Sequence, residues 1–362
     1  MPVAEAVELL ARLARPVTPA GVELAEAVGA VAARDVAIGA GLPARRTALR
    51  DGWAVEAAEV VGASPYAPVL VARAPAWVEA GAPLPTGTDA LLAPDAIGDD
   101  PRWIEAEVAS GEGTRAPGAE LPAGARLVAA GEWVTPLQCL ALAAAGCTGL
   151  DVRRPSLRIL AAAPEGAPDA LSPLLRAWIA AAGGAAVIEG RPADGRDLAA
   201  ALLAPGADAV LVVGGTGPGR CDASADALAQ AGRLDAHGIA LRPGESAGFG
   251  EAAGRPVLLL PGRPDAALAA WLVLGRPLVA ALAGAAPEPA ALPPLVLPLT
   301  RKVSSVIGIT DVVFLRRVAS GAEPVGGAET PLHRLARADA ALLVPPAHEG
   351  YPAGTPVEVL PL

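Results

Sequence analysis

The sequence predicts a multidomain fold of the α/β plus β class, in which one parallel α/β domain is joined to helical and β-rich parts. Three observations predict it. From Ser156 onward, apolar runs of strand length alternate with helical segments, the order of a doubly wound sheet. On either side, short apolar runs alternate with turns, and 38 prolines and 41 glycines punctuate the chain. Finally, the 362 residues exceed the roughly 250–300 that one core encloses.

Taken in order, Val3 to Ala14 places Val7, Leu9, Leu10 and Leu13 on one helical face, and Gly21 to Ala33 reads as a second helix ending near Asp35. Arg45, Arg46 and Arg50 then surround Asp51 and Gly52, a cluster that is a solvated charge run or a site. Tyr66 to Val108 alternates short strands with turns. Pro136 to Ala145 reads as a helix with Thr135 as N-cap. From Ser156 follow a strand, a helix over Ser172–Ala182, a strand in AAVIEG, a helix over Arg196–Leu203 and the strand Ala209–Val213. The α/β pattern runs to about Ala283, and the tail holds only short β runs, reading as a small barrel or sandwich.

Ala209–Val213 is apolar throughout, as a strand buried on both faces should be. It empties into Gly214, Gly215, Gly217 and Gly219 before a helical segment. A second strand, Pro256–Leu260, empties into Pro261, Gly262, Arg263 and Pro264 and again leads into a helix. Glycines let backbone N–H groups approach an anion, and the helix that follows points its positive end at the same place. Either loop alone reads as a tight turn; two together, with Arg242 and Arg263 nearby, predict an anion-binding crevice at the carboxyl edge of one sheet.

Composition excludes several classes. The net charge is −10 and Lys302 is the only lysine, so no basic stripe tracks a nucleic-acid backbone. The apolar 53% is mostly alanine, and no strongly apolar run of bilayer length is expected. The N-terminus carries acids inside an amphipathic pattern and does not read as a signal peptide, so a soluble cytoplasmic protein is expected. Cys139, Cys147 and Cys221 lack pairing or metal-ligand spacing, so neither a disulfide nor structural zinc is expected.

Seven segments in sequence carry a resemblance. The opening helical segments are followed by Asp51-Gly52-Trp53-Ala54-Val55, similar to a DGYAV motif, and AGAPLPTGTDAL (80–91), similar to TGAPLPEGADAV. Then come APGAELPAGARLVAAGEWVTP (116–136), VGGTGPGRCD (213–222), HGIALRPGESAGFG (237–250), LPGRPDAA (260–267) and TRKVSSVIGITDVVFL. In this order they resemble the molybdopterin molybdenumtransferase family, the group of MoeA and the gephyrin E domain, nearly end to end.

The resemblance implies an elongated four-part protomer. Its parts would be a discontinuous helical linker domain (1–40 and 133–154), a β-rich insert (41–132), a MogA-like molybdopterin-binding α/β domain (155–285) and a C-terminal β-barrel (286–362). It further implies a homodimer that binds adenylylated molybdopterin and molybdate, inserts the metal into the dithiolene and releases AMP with Mg²⁺. A MogA-like adenylyltransferase and a molybdoenzyme are the implied partners. The carried-over catalytic set is Asp51, Glu120, Glu165 and Asp222, with Asp51 and Asp222 as metal ligands. The carried-over ligand set is Arg115, Gly214, Gly215, Gly219, Arg242, Pro243, Gly244, Pro261, Gly262, Arg263 and Pro264. Several positions depart from the family. The family's DNSAMD becomes Arg46, Thr47, Ala48, Leu49, Arg50 and Asp51, so only its second aspartate remains; its GED carboxylates become Ala119 and Glu120, and a loop hydroxyl becomes Gly217. The lysines of KPGKP become Arg242 and Glu245, and the asparagine of PGNP becomes Arg263. Three readings follow: an active insertase, a pterin-nucleotide carrier, chaperone or regulatory partner that has lost insertion, and a scaffold subunit that binds no ligand.

Overall fold

The structure, a computed structural model, describes residues 1–162, 168–190, 192–220, 222–286 and 295–362. The chain forms two compact units. One comprises Met1–Arg34, Ala130–Pro136 and Gly149–Leu362; the other comprises Asp35–Ala129 and Leu137–Thr148.

The first unit is built on a six-stranded sheet. Its chain begins with helix α1 (Val3–Leu13), whose buried Ala6 and Leu10 pack into the core of that sheet. The expected second helix is not there. Ala20–Glu23, Val31–Ala32 and Gly149–Arg153 instead form an antiparallel sheet, and only Leu24–Ala27 is helical. Gly21 and Val22 pair with Asp151 and Leu150, partners far along the chain that outcompete a short helix already interrupted by Gly29 at φ +75°.

The elements of this region follow in chain order: β1 (Ser156–Ala161), α2 (Leu171–Ala181), β2 (Ala185–Ile188), α3 (Gly195–Leu203), β3 (Ala209–Val213), α4 (Ser224–Ala231), β4 (Gly232–His237), β5 (Leu241–Arg242), β6 (Gly248–Ala252) and β7 (Arg255–Leu260), all of them in or on the main sheet except β5, which pairs with a C-terminal strand. The spatial order is β2–β1–β3–β7–β6–β4. The first four strands are parallel, as expected. The last two are antiparallel, so the sheet is mixed. Ala253 and Gly254, both at positive φ, join β6 to β7; a two-residue turn of this kind leaves room only for a hairpin.

Alternation along the strands divides the core into two layers. Leu157, Ile159, Leu211 and Leu258 face α1 and α2; Leu160, Val210, Val212 and Leu259 face α3 and α4. Arg158 takes one place on the second face, and its guanidinium donates to the carbonyls of Ala201, Ala204 and Pro205 at the end of α3, while Nε lies 2.7 Å from Glu189. Behind β7 runs a helix, α5 (Pro264–Leu282), with a π turn over Trp271–Gly275. Its 19 residues and mean hydropathy of 1.5 reach bilayer length, contrary to the expectation that no such run exists. It is a core helix: 78% of it is buried, and Trp271 stacks on Trp178 of α2 at 6.3 Å.

The C-terminal strands are β8 (Leu295–Pro298), β9 (Thr310–Val318), β10 (Gly321–Gly326), β11 (Ala340–Val344) and β12 (Pro356–Pro361). They pair in the order β5–β9–β11–β12–β8, with β10 on β9. A bridge from Leu299 to Ala322, with the Thr300 N–H on the Ala322 carbonyl at 2.9 Å, links the end of β8 to β10 and rolls the sheet around Leu315, Leu342 and Val357.

The second unit is β-rich, as its turn-punctuated sequence predicts. Gly52–Val55 is the centre of a sheet flanked by Ala76–Val78 and Ala90–Leu92, and Val55, Leu92 and Ile104 are buried together.

Candidate functional site

A crevice of about 680 Å³ opens at the carboxyl ends of β1, β3 and β7. Strand β1 is continued through α2 to β2 on one side, and lies against β3 on the other. The crevice therefore sits where the direction of winding reverses, the place where open α/β sheets bind ligands. Gly214, Gly215, Asp222 and Ser224 of the loop after β3 line it, as do Gly262 and Pro264 of the loop after β7. The two loops that the sequence singled out thus meet in one site; a Cβ on Gly262 would lie 3.3 Å from the Gly214 Cα.

The main chain builds this site. Gly214 adopts φ +91°, and a Cβ there would stand 2.8 Å from the carbonyl oxygen of Ala162. Its N–H donates to Leu260 at 2.8 Å, and its carbonyl accepts from the fully buried Ser224 hydroxyl at 2.8 Å. With the turn so fixed, the N–H groups of Gly215, Thr216 and Gly217 carry no hydrogen bond among the described residues. Three consecutive amides with no partner among the described residues, ahead of helix α4, are donors of the kind that can accept a negatively charged group.

The carboxylates of the crevice are held by backbone donors. Asp194 caps α3 by accepting from the N–H groups of Arg196 and Asp197 at 2.8 and 2.9 Å. Those bonds, that of Asp197 foremost, lower its pKa. Asp169 accepts from the Ser172 N–H at 3.0 Å. Asp222, expected as a metal ligand, closes its own turn by accepting from the Gly219 N–H at 2.9 Å, and α4 starts at Ser224. Glu165 and Cys221 lie outside the described residues. Among the described residues no three of His, Cys, Asp and Glu converge on a common point. The described carboxylates do not by themselves form a cage for Mg²⁺.

Both expected cations are paired. Arg242 meets the buried Asp311 with Nε and Nη2, each at 2.5 Å, and this bond raises its pKa. Arg263 meets the buried Asp265 at 3.2 and 3.1 Å, with its Nη1 3.8 Å from Glu329. Pro243 and Gly244 continue from Arg242. Ser246 then hydrogen bonds Thr216 of the glycine loop through their hydroxyls at 2.9 Å, and the His237 Nε2 lies 2.9 Å from the Thr216 carbonyl oxygen. Because a carbonyl only accepts, that nitrogen carries a proton.

The remaining predicted residues belong to the second unit. Asp51 accepts from the Ala80 N–H at 2.7 Å rather than pairing with Arg50 or Arg46, which engage Glu112 and Thr114. Arg115 and Glu120 form an ion pair at 2.8 Å. Sequence reasoning missed Ser224, Thr216, Ser246 and Asp311. A serine opening the helix after a glycine loop is a readable signal; nothing local marks Asp311.

A parallel-centred α/β unit with an amide-lined crevice at its switch point defines a class, the anion- and nucleotide-binding open-sheet proteins. Comparison narrows it. Residues 1–146 match the family described as "MoeA N-terminal region (domain I and II)", and residues 156–281 match "Probable molybdopterin binding domain". Molybdopterin molybdenumtransferase 2 of Mycobacterium tuberculosis is 31% identical over 310 residues, covering 74% of this chain and 76% of that one. Molybdopterin molybdenumtransferase 1 of the same organism is 26% identical over 320 residues, covering 72% and 73%. The crystal structure of a molybdopterin biosynthesis MoeA protein from Pyrococcus horikoshii shares the fold, with a TM-score of 0.81, 20% identity and 100% of both chains covered. The chain belongs to the MoeA family of molybdopterin molybdenumtransferases.

Proposed function

We propose that this protein acts in molybdenum cofactor biosynthesis as a molybdopterin molybdenumtransferase, taking adenylylated molybdopterin and molybdate as substrates and releasing AMP. The observation that carries the proposal is the loop after β3, whose Gly214 and Gly215 line a crevice at the switch point of the sheet and whose Gly215, Thr216 and Gly217 amides have no hydrogen bond among the described residues. In this reading the amides hold a phosphate or oxyanion of the substrate, Ser224 keeps the loop in its receptive conformation, and Asp194 fixes the helix end that walls the crevice. Mg²⁺ would be brought by the substrate phosphates, as is usual for that ion. The protein is in this reading a cytoplasmic homodimer supplied by a MogA-like adenylyltransferase.

A second reading is favoured by one observation: Arg242 and Arg263 are both neutralised by carboxylates, and among the described residues the acids do not gather. It makes the protein a carrier that binds the pterin nucleotide without turning it over. One experiment separates the readings. Purified protein is given adenylylated molybdopterin with and without molybdate and Mg²⁺, and bound ligand and released AMP are both measured. AMP release dependent on molybdate supports the insertase, tight binding without release supports the carrier, and no binding refutes both.

A further inference from the structure

The loop after β7 is tied to the C-terminal strands by a buried carboxylate. Asp265, the second residue of α5, is only 3% exposed. It accepts from Nε and Nη2 of Arg263 and, at 3.3 Å, from the Thr330 N–H. Thr330 closes the turn that follows β10: its hydroxyl donates to the Gly327 carbonyl at 2.6 Å, and Glu329 beside it holds φ +59°. Glu329 also stands 3.8 Å from the Nη1 of Arg263, so turn and loop meet twice. The other side of the same loop walls the crevice. Gly262 and Pro264 line it, and Pro264 is the residue next to Asp265. Gly262 packs so closely on the glycine loop after β3 that a Cβ would lie 3.3 Å from the Gly214 Cα. Stability alone does not account for Asp265, because a buried ion pair adds little over an apolar side chain of similar size. What it adds is direction: two oxygens with three donors to satisfy hold one arrangement, where an apolar side chain would accept several.

We propose that Asp265 is a positioning residue, which holds the Gly262–Pro264 wall of the crevice against Gly214 by anchoring it to the turn after β10. The proposal rests on the reading of the crevice given above. It makes the C-terminal strands a support of a site whose described lining residues all lie between Ala161 and Pro264. Without the anchor the wall must be ordered at each binding event, which weakens binding by roughly three- to tenfold.

The test uses the full chain and adenylylated molybdopterin as the probe, at a temperature well below the Tm of each protein. Equilibrium titration of wild type, Asp265→Leu and Asp265→Asn gives Kd, and hydrogen exchange of segment 326–331 is followed with and without the probe. Asp265→Leu is expected to weaken Kd by roughly three- to tenfold. Asp265→Asn, whose side-chain oxygen still accepts from the Thr330 N–H, recovers most of the loss. In wild type the bound probe slows exchange in 326–331 more than in the turn 352–355, although neither segment lines the crevice; in Asp265→Leu that difference disappears. A folded Asp265→Leu protein that binds as wild type does, even with a lowered Tm, marks a carboxylate that serves stability only and overturns the proposal. So does a wild type whose bound probe slows exchange no more in 326–331 than in 352–355. If Asp265→Leu does not fold, the wild-type exchange decides by itself. A wild type that does not bind the probe overturns the assignment of the crevice and this proposal with it, whereas a binding wild type with an unchanged Asp265→Leu variant overturns only the anchor.

Discussion

Gly214→Ala tests whether the crevice is set by a close approach of main chain to main chain. Two costs apply. A non-glycine residue at φ +91° is strained by about 1–2 kcal/mol. The new Cβ would also stand 2.8 Å from the Ala162 carbonyl oxygen, a backbone atom that cannot swing aside, and such overpacking costs about 1–3 kcal/mol. The sum is about 2–5 kcal/mol, or roughly 4–20 °C in Tm for a unit of this size. Gly254→Ala supplies the control: φ is +72° there and nothing lies within 4 Å, so only the first cost applies. Urea unfolding of both variants, followed by circular dichroism, isolates the second cost as a difference of about 1–3 kcal/mol. If Gly214→Ala is no less stable than Gly254→Ala, the loop yields freely and the argument for a rigid amide receptor fails.

Other substitutions probe the supports of the same site. Ser224→Ala leaves the buried Gly214 carbonyl without its donor and should cost about 1–3 kcal/mol, with weakened adenylylated-molybdopterin binding in the folded fraction; unchanged denaturant midpoints would contradict it. Arg158→Met strips donors from the Ala201, Ala204 and Pro205 carbonyls and should lower stability by about 2–4 kcal/mol, measurable by urea titration. Asp194→Asn should destabilise near neutral pH. Because the folded pKa of Asp194 is lowered, its charged form adds stability that is full above the unfolded value near 3.9 and is lost as pH falls through the folded value. The gap between wild type and Asp194→Asn should therefore close on acidification, and a gap constant with pH would refute the assignment.

Much of the central unit was legible because strands buried on both faces must be apolar throughout. Ala209–Val213 stands in the structure with the bounds its sequence suggests. The glycine loops were legible for a related reason, since a chain that turns sharply from strand to helix uses residues free of a Cβ. Partners distant in sequence were not legible. Gly21–Ala33 has helical periodicity, yet its strand partner lies at Gly149–Arg153, and Arg242 finds Asp311 across 69 positions. The partner of Asp51 is likewise distant: not an arginine of its own cluster but the Ala80 amide, 29 positions on. The antiparallel edge was hidden because its turn is Ala253–Gly254, where the usual hairpin signal would carry asparagine or aspartate first.

The partnerless amides of the crevice have a further consequence. Such donors are specified by torsion angles rather than by functional groups, and every residue except proline supplies the same N–H. Gly217 has no hydroxyl to give, and its amide remains a donor all the same. A receptor of this kind tolerates wide drift in side-chain identity while the bends of the chain hold, so its history is written in glycines and prolines more than in acids and bases.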